Sequence, residues 1–246
     1  MPERSLKYLK GLEVKEFTFF GGKVRFRQPK THRLSIVEIL FVYNLKGIKR
    51  KSKVVDLGAG FGTLSILTSL RYGCEVWAIE RDNLMLELLD YNVRSNGLED
   101  KVHIIEGDVR FIEKFMEKNS FDVALLNPPF FPKSYGFENN KFHFEGDTKL
   151  EDFIRAVKYL LKDNGKLNLL YTTFRCVEAI SILLNNNINP FCFRIFYPKM
   201  DKNGKFLHIY AIKNRKGNIV IEKPLIINEQ SGEYTKEVKN ILESFL

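Results

Sequence analysis

The chain has 246 residues, 44% of them hydrophobic, and a formal net charge of +9 at pH 7. That length and apolar content support one large domain, or a domain with appendages, that folds without staples. Cys74, Cys176 and Cys192 are odd in number and lack metal-ligand spacing, which argues against a disulfide or metal scaffold and for buried free thiols in a reducing cytoplasm. The Lys and Arg near the start precede no uninterrupted apolar stretch. No run approaches the roughly 20 residues that span a bilayer, so neither a signal peptide nor a membrane span is expected.

Residues 1–53 carry 14 Lys and Arg against 4 Asp and Glu, and the rest of the chain holds 25 against 26, so the positive excess lies entirely at the start. There it interleaves with aromatics, from Phe17 to Gln28, as an electrostatic footprint for a polyanion would. Arg25, Arg27, Lys30 and Arg33 are the candidate nucleic-acid contacts. The alternative is a solvated basic face.

Gly21-Gly22 between alternating apolar and basic stretches predicts a hairpin. A helix is expected over 34–45, with Ser35 and Glu38 at capping-box spacing. Strands and helices then alternate: strands at 53–57, 75–80, 102–106 and 121–126, helices at 63–71, 83–94 and 110–118. After a long connection come a helix at 150–161, a strand at 166–171 and a helix at 174–184. Short apolar strands between amphipathic helices indicate a parallel sheet covered on both faces. Segments 191–197 and 206–213 flank Asn203-Gly204, an antiparallel hairpin signal at the sheet edge, and a helix over 234–245 closes the chain. The expected organisation is a basic hairpin-and-helix extension, 1–48, followed by an α/β domain, 49–246.

Gly58, Gly60 and Gly62 follow the first of these parallel strands and precede a helix, where a backbone must turn sharply and approach a ligand. Glu80 ends the second strand, 22 residues after Gly58, and can accept both hydroxyls of a ribose. Asp108, after the third, is placed to accept from an adenine amino group. The same pattern binds nicotinamide dinucleotides, and fold analogy leaves that open. Two details favour a sulfonium donor. Asp56 would meet the donor's ammonium but repel a pyrophosphate, and G-x-G-x-G is not the dinucleotide spacing G-x-G-x-x-G.

Asn127-Pro128-Pro129-Phe130 closes the fourth strand. A conjugated NH2 is a poor nucleophile, so a site must supply acceptors for its hydrogens. The Asn127 side-chain oxygen and the Pro128 carbonyl are two such acceptors; Pro129 stiffens the turn and Phe130 offers a stacking face. The plainer reading is a proline-terminated strand. Residues 131–147 exceed ordinary loop length and read as a lid or binding loop, in which Lys133 and Lys141 could meet phosphates and Tyr135 could stack on a base.

Together, Asp56 to Gly62, Glu80, Asp108 and Asn127 to Phe130 resemble the class I S-adenosylmethionine methyltransferases over roughly residues 50–175. The resemblance implies a Rossmann-like fold with a seven-stranded, mostly parallel sheet and an antiparallel edge hairpin. It implies S-adenosylmethionine as cofactor, with Asp56 and the three glycines on the methionine moiety, Glu80 on the ribose, Asp108 on the adenine, and Asp82 and Val109 flanking its ring; Asn127 would face both cofactor and substrate. No metal is expected, and a monomer is favoured. Asn-Pro-Pro-aromatic enzymes include adenine N6, guanine N2 and glutamine N5 methyltransferases, among which the motif does not choose. Phe26-Arg27-Gln28 with His32-Arg33-Leu34-Ser35, and Pro224 to Ile227 with Gly232 to Thr235, look like the bacterial family that methylates N6 of the adenine just 3′ of the anticodon in a valine tRNA. That family usually has an acid where this chain has Val37; Glu38, one place later, fits a shifted register or a capping role. The rivals are a glutamine N5 methyltransferase of a release factor or ribosomal protein, a guanine N2 rRNA methyltransferase, and a non-catalytic RNA-binding module.

Overall fold

The computed structural model describes residues 14–30, 33–128 and 147–246. The chain opens with an antiparallel pair, β1 (Val14–Phe19) and β2 (Val24–Pro29), turned at Phe20, Gly21 and Gly22, all at positive φ. Period-two alternation buries Val24 and Phe26 and leaves Arg25 exposed. Helix α1 (Ile36–Tyr43) follows, shorter than expected by two residues at each end.

The sheet is built from β3 (Lys53–Leu57), β4 (Glu75–Glu80), β5 (Val102–Glu106), β6 (Phe121–Leu126), β7 (Leu161–Thr172), β8 (Ile188–Tyr197) and β9 (Phe206–Lys213) in the order β5-β4-β3-β6-β7-β9-β8. The first five run parallel, and β9 inserts antiparallel between β7 and β8. Two further strands, β10 (Val220–Ile221) and β11 (Leu225–Ile226), pair parallel with β8 and bring the sheet to nine. The expected edge hairpin is therefore itself partly covered. Two-residue strands in a polar, proline-containing segment carry no periodicity to read.

Helices α2 (Thr63–Tyr72), α3 (Asn83–Ser95), α4 (Leu150–Leu160), α5 (Cys176–Asn185) and α6 (Lys236–Glu243) complete the layers. The segment expected as a helix over 110–118 is instead a 3-10 turn, Val109–Lys114. Asp108 caps its start, and the Phe115 ring lies over Gly107, where an added Cβ would come within 2.4 Å of it, so the segment is tied down at both ends and winds tightly. Strand β7 begins earlier than expected because Leu161 already pairs with Phe121, and a bulge with Asn164 at positive φ follows before Lys166 pairs with Val123.

Alternation along each strand feeds two cores. Val54, Val123 and Leu125 face α1, α2, α3 and α6, whereas Val55, Ala124 and Leu126 face α4 and α5. The first core also contains Val24 and Phe26, so the basic hairpin packs into the same cluster as the sheet. Phe20 stacks on Phe245 at 4.6 Å, and Arg71 covers the Tyr43 ring while donating to the Phe245 carbonyl. His208 is buried against Asn168, and burial pushes it down to about 3, so it stays neutral; Asn168 also ties the backbone of Lys46 to the sheet. The three cysteines are free; Cys74 and Cys192 are buried as expected, and Cys176 at the start of α5 is partly exposed. Among the described residues no helix is long and apolar enough to cross a membrane.

Asn92, wholly buried on α3, accepts from Arg27 N at 2.6 Å and donates to Arg27 O and Phe61 O at 3.0 and 2.8 Å. It ties the basic hairpin to the glycine turn. Asn92→Ala leaves three backbone groups unpaired and should lower stability by roughly 2–3 kcal/mol in urea denaturation; a change below about 0.5 kcal/mol would mean that this tie is dispensable.

Candidate active site

In the sheet, Leu57 pairs with Ile79 on one side and Leu126 on the other. The next residues, Gly58, Glu80 and Asn127, therefore leave three adjacent strands in one row at the carboxyl edge, where parallel sheets bind ligands. Neighbouring strands lie about 4.8 Å apart, so the glycine turn and the Asn-Pro motif share one edge.

The turn is held open from behind. Gly58 N and Ala59 N both donate to Ile79 O, and Gly60 N donates to Glu80 Oε2 at 2.8 Å. Gly62 is packed so closely that an added Cβ would come within 2.5 Å of Leu89, while a Cβ on Gly60 would meet only open space. All three glycines have positive φ. Gly62 thus closes the turn onto the core, and Gly60 leaves room for a ligand.

Three carboxylates line this edge. Asp56 is buried beneath the turn with Ser65 Oγ donating to it at 2.6 Å. Burial pushes it up to about 7, reinforced by the negative charge of Glu80. Glu80 is raised too, by burial, although it accepts from Gly60 N, Arg81 N and Asp82 N. Those three bonds leave one acceptor lone pair, on Oε2. Glu38 of α1 is partly exposed as a residue, yet desolvation of its carboxylate raises it to about 7, with Asp56 adding to the rise. Carboxylates raised together in this way favour a cationic ligand and repel a pyrophosphate.

Asn127 completes the row. Its Nδ2 donates to Glu38 Oε1 at 3.3 Å, while Oδ1 is buried and, among the described residues, receives no hydrogen bond. A buried unpaired acceptor costs free energy that a ligand donor would recover. Glu38 also accepts from Ser35 N at 2.8 Å, and Ser35 Oγ accepts from Val37 N, so the capping role of Glu38 is real. Its contact with Asn127 is the feature that sequence reading missed. The only early signal was an acid at an unusual position near Ser35.

The other anticipated residues divide. Asp82 caps α3 through Met85 N, and Val109 is buried beside the edge. Asp108 is clamped by Arg110 at 2.6 Å and Arg81 at 2.9 Å; burial is the largest single effect and pushes its carboxyl up, but the hydrogen bonds from Arg110 and the bond and charge of Arg81 together outweigh it and hold the carboxyl well below the ordinary range. Accepting from an adenine amino group would require one of these guanidinium groups to yield. Arg27 lies over the Tyr91 ring at 3.7 Å and near Glu16, whereas Arg25 projects from the hairpin. Arg33 Nε donates to the Lys30 carbonyl. Pro129, Phe130, Lys133, Tyr135 and Lys141 lie outside the described residues. A separate cleft of about 520 Å³ at the opposite, amino edge includes Lys118, Lys158 and Lys213; there Lys213 braces Asn119 and the Leu161 carbonyl.

A turn with open space at Gly60, acids suited to a cation and, just past the end of the neighbouring strand, an amide oxygen unpaired among the described residues fit a sulfonium methyl donor. Sheet order and site together define a class I methyltransferase. The sequence profile of the methyltransferase small domain family matches residues 33–189, and the chain belongs to that family of S-adenosylmethionine-dependent methyltransferases. It is similar to the tRNA1(Val) (adenine(37)-N6)-methyltransferase of Dyadobacter fermentans, 27% identical over 80% of this chain and 84% of that one. The enzyme of the same name from Christiangramia forsetii is 23% identical over 78% and 81%. A crystal structure of a predicted O-methyltransferase from Agrobacterium tumefaciens shares the fold, with a TM-score of 0.69, 20% identity, and coverage of 85% of this chain and 95% of that one.

Because Glu38 and Asp56 hold protons to about pH 7 in the folded state and only to about pH 4 when unfolded, the ligand-free protein should lose stability as pH rises from about 5 to about 8. The depressed Asp108 stabilises the fold above the ordinary carboxylate range and is flat across that window. Asp56→Asn keeps an acceptor for Ser65, so it should flatten the loss, raise the melting temperature at pH 8 and weaken donor binding. Thermal denaturation across the pH window with calorimetry checks this; a wild-type protein that gains stability with pH would contradict it.

Proposed function

We propose that the protein transfers a methyl group to the exocyclic N6 of an adenine in tRNA, the adenine just 3′ of the anticodon of a valine tRNA. The observation that carries this reading is Asn127 Oδ1, unpaired among the described residues, beside an acid-lined glycine turn. When bound, S-adenosylmethionine supplies an electrophilic methyl on a sulfonium that departs as a neutral thioether. Asp56 would hold its ammonium, Glu80 its ribose, and the glycines would leave room for its methionine chain, with Asp82, Asp108 and Val109 beside its adenine.

Asn127 Oδ1 accepts one hydrogen of the target amine and the Pro128 carbonyl accepts the other, which orients the nitrogen lone pair along the line of displacement. No strong base is needed before attack, because the nitrogen becomes acidic only once alkylated and water can then take the proton. Rate therefore comes from orientation and preorganised acceptors. Phe130 would stack on the ring, and Lys133, Tyr135 and Lys141 would meet the RNA around it. RNA is favoured over a protein tail by the positive excess of residues 1–53 and by the names of the curated relatives.

Incubation with labelled donor and total tRNA should place label in tRNA as N6-methyladenine, read by nucleoside mass spectrometry. Asn127→Ala should lower turnover by roughly tenfold or more while donor affinity changes little. Label in release factor, or in rRNA as N2-methylguanine, would overturn the adenine assignment. Arg25→Ala should weaken RNA binding and flatten its salt dependence by about one counterion. Arg27→Ala, whose guanidinium is already committed to Tyr91 and Glu16, should change the slope less. Equal slopes for both variants and wild type would move the RNA surface away from the hairpin.

A further inference from the structure

We propose that Glu38 is a positioning residue: its ionised carboxylate, by accepting from Asn127 Nδ2, holds the amide so that Oδ1 faces the target amine. The inference rests on the reading of Asn127 as the amine's acceptor. An Asn amide is pseudo-symmetric in shape but opposite in chemistry on its two sides. Turned over, it would offer two N–H donors to an amine that also donates, and the acceptor would be lost. The backbone does not choose between the two orientations; a neighbour must.

Glu38 is built to make that choice. It stands at the third position of α1, where its Oε2 is fixed by Ser35 N at 2.8 Å, leaving Oε1 aimed at Asn127, 89 residues away in the chain. An ionised carboxylate can only accept, so it selects Nδ2. A protonated one can donate, and would equally satisfy the turned amide through Oδ1. With a pKa raised to about 7 by burial and by Asp56, both forms are populated near neutrality in the ligand-free protein.

The electrostatic surroundings are one-sided. Glu38 is the sole charged residue of α1; Asp56, one residue before the end of β3, adds to its rise, and Glu80 at the end of β4 acts in turn on Asp56. On the helices packed against α1, Arg71 of α2 donates to the Ser244 and Phe245 carbonyls and Glu237 of α6 pairs with Arg194. A positive charge held at Asp56 would lower the pKa of Glu38 and secure the accepting form. Donor binding and amide orientation would thereby be coupled.

The test uses Glu38→Gln, since Gln preserves the capping box at that position but presents an N–H that can pair with Asn127 Oδ1. In the ligand-free protein, nitrogen-15 NMR of the Asn127 side-chain amide, assigned by its loss in Asn127→Ala, should titrate near pH 7 in wild type and stay fixed in Glu38→Gln. At pH 8, Glu38→Gln should lose roughly tenfold or more in kcat on tRNA with the donor Kd close to wild type. Ser35→Ala, which weakens the cap without touching Asn127, should keep most of the turnover. An Asn127 amide insensitive to pH, unimpaired Glu38→Gln turnover, an equal fall in Ser35→Ala, or donor affinity lost in proportion to turnover would each overturn the assignment. The NMR arm needs no acceptor, so it decides the role of Glu38 even if tRNA proves to be the wrong substrate.

Discussion

Parallel pairing of β3 with β6 is the constraint on which the site depends. Once Leu57 pairs with Leu126, Gly58 and Asn127 must leave the sheet side by side, and the pairing of Leu57 with Ile79 adds Glu80 to the same row. A one-residue slip would turn every side chain of β6 to the opposite face and remove Asn127 from the edge. The register is held because both faces are buried: Val123 and Leu125 serve one core, Ala124 and Leu126 the other. The chemistry is thus positioned by strands, and the turns only carry it.

That position is electrostatically unfavourable without a ligand. Glu38, Asp56 and Glu80 are all raised by burial, and among the described residues no cation is one of the leading effects on Glu38 or Asp56. Elsewhere the protein neutralises its acids: Asp108 has Arg81 and Arg110, Asp122 has Lys162, and Glu222 has Lys46. The contrast marks the glycine edge as a place kept for a positive charge. It also explains how one site can discriminate against pyrophosphate cofactors while using a glycine turn of the same general kind.

Much of this was legible in the sequence. Strands at 53–57, 75–80, 102–106 and 121–126 end where an apolar run meets a charged residue, glycine or Asn-Pro, and the structure ends them at the same residues. Helix ends moved by a residue or two, because caps such as Ser35 and Thr235 are resolved by hydrogen bonds rather than by hydrophobicity. β10 and β11 were invisible because two residues have no period, and the expected 110–118 helix gave way to contacts between Phe115 and Gly107. Glu38 is the instructive case. Its spacing from Ser35 is local and readable, while its bond to Asn127 depends on how α1 packs across the sheet, which a linear pattern does not encode.

The most direct test of the account is a crystal structure of the protein with S-adenosylhomocysteine and an adenosine-containing anticodon-loop RNA. The account predicts the thioether sulfur beside the Gly58 to Gly60 turn and the adenine amino nitrogen within hydrogen-bonding distance of Asn127 Oδ1, with Nδ2 still on Glu38. A product molecule bound away from that turn, or an amino group facing any acceptor other than Asn127, would contradict it.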